Sequence, residues 1–597
     1  MAQSNGVTNG VNGSADLNLD ALVIGCGFGG LYTLYKLREK GLNAVAIDAA
    51  DGLGGVWHWN RAESLQPQIT LFRNTYSVPG YPGARVDSEV PYYQYSLHKV
   101  WKDWSWSERF PAHDELRRYF HHAASALGLN EHIRLQQNVV DCTWDNKDLG
   151  WTVTTESGLH IRCKYLVAAA GSSYRKYLPE YPGIEDYNGT LLHSAGFPEE
   201  DAFDFRGKSV AIIGQGATGV QLTQSVSKLA DTLHVFCRTP NMAFPMKQRK
   251  MSVEEQNQYK GAYDLLFKAT RASRSGLPHT AESRSMLKVT DEEREARWNE
   301  LWERGGFNFS MGGFRDYVFN EQANDLIYSF WRRKVQARIK DARKAEIVAP
   351  KVKPHPFGTK RPSLEQDYYE CIDRENVNLI SVKDNPIERF TADGIQTADG
   401  KVHKADYIIM ATGYDAITGS YTNMGLKDRN GVDLKEQWKN GVKTHLGLMV
   451  PGVPNMFMVY SPQGELHGFS DEEIEHCADP SPLAPTALAN GSTIVECQGD
   501  WVADAIEKMR RENVETIEVT PDAAQKWGDA IQDMNEKTLF PLADSWYMGA
   551  NIPGKKREQL NYLGGVAQYE AECRKALENW DGFVLDGRQG GEVKASL

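Results

Sequence analysis

Asp20-Ala-Leu-Val-Ile24 is an apolar run of strand length that enters Gly25-Cys26-Gly27-Phe28-Gly29-Gly30, followed by a helical pattern through Leu31, Leu34, Tyr35 and Leu37. The helix stops at Gly41, and a second strand, Ala44 to Ile47, ends on Asp48. A glycine triplet alone is weak evidence. In this strand-turn-helix-strand context the three glycines have distinct roles. Gly25 makes a tight turn, Gly27 allows close backbone approach to a pyrophosphate, and Gly30 allows close helix-strand packing. The pyrophosphate would sit on the helix N-terminus, where unpaired amides and the helix dipole favour anions. Asp48 would accept hydrogen bonds from ribose hydroxyls and repel a 2′-phosphate, so the unit suits FAD or NAD and disfavours NADP.

A second unit follows the same order. Lys208-Ser-Val-Ala-Ile-Ile213 leads into Gly214-Gln215-Gly216-Ala217-Thr218-Gly219, a helix through Val220, Leu222 and Val226, and a strand His234-Val-Phe-Cys237 that ends at Arg238. Where the first unit has Asp48, this one has a guanidinium, which holds a 2′-phosphate by charge-assisted hydrogen bonds and selects NADPH. Taken singly, Arg238 also reads as a surface arginine paired with a local carboxylate. A flavin site and an NADPH site together imply hydride transfer from nicotinamide to flavin. Disulfide reductases share that pairing but need a redox-active cysteine pair, and Cys26 has no neighbour at a usable spacing. What remains is a reduced flavin that meets oxygen, in a monooxygenase or a simple NADPH oxidase.

Composition narrows the class. The chain has 597 residues and a formal net charge of -12, without a compensating basic run, which argues against a nucleic-acid partner. Its apolar stretches are strand-sized, well short of the ~20 residues that span a bilayer. Residues 1–18 are rich in Asn, Gly and Ser and read as a disordered tail rather than a signal peptide. The eight cysteines are scattered, with no C-x-x-C pair and no zinc spacing, as suits reduced thiols and no metal site. The expected location is cytoplasmic; the closing Ala595-Ser596-Leu597 only loosely resembles a peroxisomal address, because its middle residue is not basic. Between residues 251 and 349 the period turns helical, with capping-box forms at Ser252-Val-Glu-Glu255 and Thr290-Asp-Glu-Glu293. Residues 461–490 read as a long surface loop.

Between the two glycine motifs, Tyr187-Asn-Gly189-Thr-Leu-Leu-His193-Ser-Ala-Gly-Phe197-Pro198 resembles the fingerprint of the flavin-dependent (type I) Baeyer-Villiger monooxygenases, F-x-G-x-x-x-H-x-x-x-W. It keeps Gly189 and His193 and departs at both aromatic ends. Five further stretches are similar to family segments and occur in family order: Gly54-Gly55-Val-Trp57-His-Trp59-Asn60-Arg61, Tyr81-Pro82-Gly83-Ala84-Arg85-Val-Asp87, Gly358-Thr-Lys360-Arg361-Pro362, Ala411-Thr412-Gly413-Tyr414-Asp415, and Trp546-Tyr-Met-Gly549-Ala-Asn551-Ile-Pro-Gly554-Lys555. The resemblance spans nearly the whole chain. Two departures, the 62–80 segment inserted between W-N-R and Y-P-G-A-R and the 461–490 loop, put substrate preference in doubt.

The resemblance implies an α/β fold with two Rossmann-like dinucleotide-binding domains and a helical insertion. The corresponding boundaries are 19–175 and 405–597 for the FAD domain, 176–250 and 350–404 for the NADPH domain, and 251–349 for the insertion. It implies conversion of a ketone to an ester or lactone with NADPH and O2 through a C4a-peroxyflavin. In that chemistry Arg361 supplies a positive charge beside the peroxide, Asp87 orients it, Lys360 joins Arg238 at the NADPH phosphate, and Gly55 and Trp57 lie at the flavin. Trp546 contacts cofactor or substrate, and His193 and Asp415 couple domain movement to cofactor position. Two alternatives stay open: an amine or sulfide oxygenase, which needs no such arginine, and a slow NADPH oxidase or redox-sensing nucleotide-binding protein.

Overall fold

The computed structural model describes residues 16–59, 81–197, 203–279, 281–314, 316–464 and 489–587. Residues 1–15 of the expected disordered tail, the 62–80 segment and most of the 461–490 loop lie outside these residues, as do Asn60, Arg61 and Pro198 of the family-like stretches. The ends of that loop are described, and they correct the surface reading in part: Ser461, Gln463 and Asn490 are buried. Strand structure begins at Leu17, inside the segment expected to be tail.

Two sheets form the frame. The first has seven strands, in the order Ile133–Arg134, Ala44–Ile47, Leu17–Ile24, His160–Ala168, Gly150–Thr155, Val139–Asp145, with Met456–Met458 also pairing with His160–Ala168. Its centre is parallel: Ala21 to Ile24 run beside Ala44 to Ile47 on one side and Tyr165 to Ala168 on the other. Ala21, Leu22, Val23, Ala46, Ile47, Leu166 and Val167 have no exposed surface, as a parallel sheet covered on both faces requires. The Phe28–Glu39 helix and the long Gly491–Arg511 helix cover it, the latter burying Ile494, Val495, Val502 and Ile506.

The second sheet is parallel throughout, in the order Val377–Ser381, Thr232–Cys237, Ser209–Ile213, Tyr407–Met410, Thr190–His193. The boundary expected at 404/405 is thereby corrected. Tyr407 to Met410 pair with Val210 to Ile213 and with Thr190 to His193, so the chain leaves this sheet only after Met410. A small antiparallel sheet, Ile387–Thr391, Gly394–Thr397 and Val402–Lys404, precedes that strand.

Residues 251–349 carry the helices Val253–Lys260, Tyr263–Arg271, Asp291–Arg304, Asn308–Met311, Glu321–Gln336 and Ala342–Val348. At Thr290 the capping box is complete: its hydroxyl accepts the Glu293 N–H at 3.2 Å and the Glu293 carboxylate accepts the Thr290 N–H at 3.0 Å. At Ser252 the hydroxyl accepts the Glu255 N–H at 3.1 Å, and the Glu255 carboxylate also pairs with Arg249.

Two chain crossings join the sheets, and they pair with each other. Tyr177 N–H donates to the Gly413 carbonyl and Asp415 N–H to the Arg175 carbonyl, both at 2.9 Å, as a short antiparallel ladder between residues 175–177 and 413–415.

Candidate active site

The two glycine turns are built alike. Gly25 and Gly214 have φ of 109° and 108°. A Cβ on Gly25 would collide with the Ala169 carbonyl oxygen, and one on Gly214 with that of Ala411. In both units the third glycine lies against the carbonyl of the first, Gly30 on Gly25 and Gly219 on Gly214, so the helix N-terminus is drawn tightly over the strand end.

In front of the first turn opens a cleft with a cavity volume of ≈ 380 Å³. That lies within the roughly 300–1,000 Å³ of small-molecule sites. Gly25, Gly27, Asp48, Gly55, Trp57, Asp87, Arg361 and Trp546 all line it, so one cavity unites residues more than 500 positions apart in the chain. Gly27 and Gly55 face each other across backbone alone. Asp48 is buried, and each carboxylate oxygen accepts one backbone N–H: Oδ2 from Cys26 at 2.7 Å and Oδ1 from Ala50 at 2.8 Å. Burial raises its pKa against the pull of those two bonds. Asp48 thus ties the strand end to the glycine turn, a function its place in the sequence did not disclose, and lone pairs remain on both oxygens for ribose hydroxyls.

Arg361 reaches the cavity from the other sheet's side of the molecule. Its Nε and Nη2 donate to Asp87 Oδ2 at 3.1 and 2.7 Å, and its guanidinium lies 5.3 Å from the centre of the Phe307 ring. Burial alone would lower its pKa; Asp87, with smaller contributions from Tyr547 and Tyr460, turns the net shift upward, so the cation is secure. Asp87 ends a segment held on the second unit's Ala217–Val226 helix, where Gln221 accepts from the Tyr81 hydroxyl at 2.7 Å and donates to the Arg85 carbonyl at 3.1 Å.

Lys360 is not among the residues that line this cavity. Burial and the charge of Arg238 lower its pKa against the opposing charge of Asp544, which places both cations in one field. Among the described residues neither cation forms an ion pair. A Cβ on Gly216 would meet no protein atom, leaving its backbone open to a ligand at the N-terminus of the Ala217–Val226 helix.

His193 and Asp415 are not in the cavity wall. His193 ends its strand opposite Met410, is buried, and accepts the Ala195 N–H on Nδ1 at 3.0 Å. Burial and then Lys176 push its pKa down to about 4, so the ring is neutral. Its Nε2 is 3.5 Å from the Thr412 hydroxyl, which itself donates to the Tyr177 carbonyl at 2.6 Å. Asp415 accepts from Lys555 Nζ at 2.9 Å. Both residues therefore sit on the paired crossings. Trp546 lines the cavity from a short turn, Trp546–Met548, with its ring 4.4 Å from that of Tyr547.

Sequence reasoning missed Tyr93, Tyr460 and Phe307. Tyr93 and Tyr460 line the cavity, and the Tyr93 hydroxyl accepts from Trp57 Nε1 at 3.0 Å. Only Phe307, following the Gly305-Gly306 pair, stood beside a visible break in pattern.

Comparison with known proteins extends this geometry. Residues 19–262 match the pyridine nucleotide-disulphide oxidoreductase family model. The described cysteines, Cys26 included, are all free thiols, so the match carries the nucleotide folds without a disulfide centre. The FAD-binding monooxygenase acrE of Aspergillus aculeatus is 38% identical over 579 residues, covering 97% of this chain and 91% of that protein. Cyclopentanone 1,2-monooxygenase of Comamonas sp. is 37% identical over 577 residues, 96% of this chain and 98% of that one. The crystal structure of OTEMO in complex with FAD and NADP superposes with a TM-score of 0.85 at 30% identity, over 96% of this chain and 100% of the other. Identity of that order across almost every residue of both partners, on a fold with one turn built for each dinucleotide, settles the family: the chain belongs to the FAD- and NADPH-dependent Baeyer-Villiger monooxygenases.

Proposed function

We propose that the chain inserts one oxygen atom from O2 beside the carbonyl of a small-molecule ketone, giving an ester or lactone, with NADPH as reductant. The observation that carries this reading is the Asp87–Arg361 pair in the wall of the cavity that begins at the first glycine turn. Asp48, Gly25, Gly27, Gly30, Gly55 and Trp57 hold FAD, and Gly214, Gly216, Gly219, Arg238 and Lys360 hold NADPH. When bound there, FAD would supply the redox chemistry, accepting hydride from NADPH and activating oxygen beside the carbonyl. Arg361 places a full positive charge where negative charge develops on oxygen, and half-burial strengthens that charge relative to water. Asp87 fixes the guanidinium plane by taking two of its N–H groups on one oxygen. Tyr93, Tyr460 and Trp546 present aromatic surface on the same wall and limit water there. His193 and Asp415 hold the paired crossings, the element through which one sheet would shift against the other.

An amine or sulfide oxygenase has no use for the Arg361 charge, so the pair favours the ketone reading. The free thiols suit a reducing compartment such as the cytoplasm, and among the described residues no helix is long and apolar enough to cross a membrane. The test is turnover of a panel of cyclic and open-chain ketones with NADPH, read by product mass spectrometry. The expected product carries one added oxygen atom and hydrolyses as an ester. Oxidation of amines or sulfides with every ketone untouched overturns the reading.

A further inference from the structure

The Gly491–Arg511 helix begins at the cavity, where Gly491, Ser492 and Val495 form part of the wall. The next residue, Glu496, points away into the protein and is 4% exposed. Its two oxygens take both donors of one residue: Oε1 accepts the Ser96 N–H at 2.7 Å and Oε2 the Ser96 hydroxyl at 2.6 Å. Ser96 ends a segment that reaches the cavity in two places. The Tyr95 hydroxyl donates to the Phe28 carbonyl at 2.8 Å, on the first turn of the glycine-motif helix, and the Tyr93 hydroxyl meets Trp57 Nε1 within electrostatic reach of Asp87 and Arg361. The same helix start grips the segment's other end, since Asn490 Nδ2 and the Ser492 hydroxyl donate to the Tyr92 carbonyl at 2.6 and 2.9 Å.

We propose that Glu496 is a positioning residue that fixes Tyr93 and the Tyr92–Ser96 segment on the cavity wall by gripping Ser96, and that its protonation loosens that grip. The proposal rests on the flavin occupying this cavity, not on the identity of the oxygenated substrate. As a carboxylate, Glu496 receives two charge-assisted hydrogen bonds; as an acid it keeps the N–H on its carbonyl oxygen and donates its own O–H to the Ser96 oxygen, giving two weaker neutral bonds.

The surroundings let this change occur near neutrality. Burial pushes Glu496 up to about 7, against the two Ser96 bonds and the charge of Arg271, with Asp500 adding to the rise. The ionisable groups facing it are Cys497 and Asp500 on its own helix, Arg271 from Tyr263–Arg271, Tyr32 from Phe28–Glu39, Tyr119 from His113–Ala126, and Tyr95. Burial holds the tyrosines and Cys497 further toward their neutral forms, and Arg271, despite its burial, is held charged by Asp500 and Glu570. None of these shifts supplies a step near pH 7.

Glu496→Gln tests the idea because the amide reproduces the neutral arrangement, its oxygen accepting the N–H and its NH2 donating to the Ser96 hydroxyl. The readout is hydrogen peroxide release by the FAD-loaded enzyme oxidising NADPH without any ketone, followed across pH, beside FAD content and the rate of flavin reduction. In the parent enzyme peroxide release should rise about fivefold as pH falls through the transition, the scale of exchanging charge-assisted for neutral bonds. Glu496→Gln should release peroxide at the higher rate throughout, with no step and with unchanged FAD content. Ser96→Ala, which removes one donor to the charged form, should move the midpoint to higher pH. A Glu496→Gln enzyme that keeps the parent step, or a Ser96→Ala enzyme with an unmoved midpoint, overturns the proposal. Because no ketone enters the assay, failure here is distinct from failure of the ketone reading, which the product panel decides.

Discussion

At the scale of single residues, Lys360 and Arg361 are adjacent cations with different neighbours. Lys360 shares a field with Arg238, while Arg361 is committed to Asp87. The first consequence is for Arg361→Ala, which should bind FAD and accept hydride from NADPH at near the parent rate yet lose about 100- to 1000-fold in ester formation, the scale for removing one preorganised oxyanion donor. Stopped-flow flavin reduction and ester yield on the same folded variant check this; a normal ester yield would remove Arg361 from the chemistry. Asp87→Ala should give a milder loss, because the charge remains but turns more freely. The second consequence is for Arg238→Ala, expected to weaken NADPH about 10- to 100-fold and leave NADH use nearly unchanged. Equal losses for both nucleotides would contradict a 2′-phosphate contact. Asp87, Arg361 and Trp546, and their convergence on one site, were legible in the sequence only through the short motifs that mark them; composition and periodicity alone do not bring together three distant loops. Tyr93 gave no signal and Phe307 only its place after the Gly305-Gly306 pair, because an aromatic residue on a loop reads as ordinary core until its neighbours are known.

At the scale of elements, the two strand-turn-helix units were fully readable, because a glycine turn between an apolar strand and a periodic helix has few other uses. The structure separates the roles of their glycines, and that separation can be tested. Gly25→Ala forces a Cβ onto the Ala169 carbonyl at a positive φ and should abolish stable FAD-loaded protein. Gly216→Ala meets no protein atom, so its melting temperature should stay within a few degrees of the parent while NADPH affinity falls about tenfold or more. Melting curves beside nucleotide titrations decide it; a Gly216→Ala enzyme with unchanged NADPH affinity would mean that no dinucleotide approaches that backbone. Tyr407–Met410 marks the limit of reading at this scale. Its residues are Tyr-Ile-Ile-Met, and the strands at the centre of both sheets carry equally apolar runs, so nothing in its own pattern says which sheet it joins.

At the scale of the whole molecule, the two sheets share one continuous apolar core, and polar connections between them include the paired crossings at 175–177 and 413–415, the Tyr81–Asp87 segment on the second unit's helix, and the Asp87–Arg361 pair. The helical segment is fastened to the first sheet's cover by Arg271, which bonds Asp500 on the long helix and Glu570 near the C-terminal end. Interiors of this kind bury titratable groups, and the histidines set the response to acid. His193, His234, His355 and His445 are each pushed down to about 4, in every case chiefly by burial. In the unfolded chain a histidine binds its proton near ~6.5, so between that value and the folded one the unfolded state holds more protons and stability rises with pH. As pH falls through this window the folded state therefore loses stability, and the loss is complete only below the folded pKa values. Glu496, Asp48 and Glu365, all raised by burial, act in the opposite sense and offset part of it. Because four histidines share the window, the net loss on going from about pH 7.5 to about pH 5 should be on the order of a few kcal/mol. Urea midpoints at the two pH values measure it, and His193→Gln, which cannot take up a proton, should narrow the gap between them. A His193→Gln enzyme with the same gap between midpoints as the parent would show that this ring keeps an ordinary pKa in the fold, against the neutral form its burial demands.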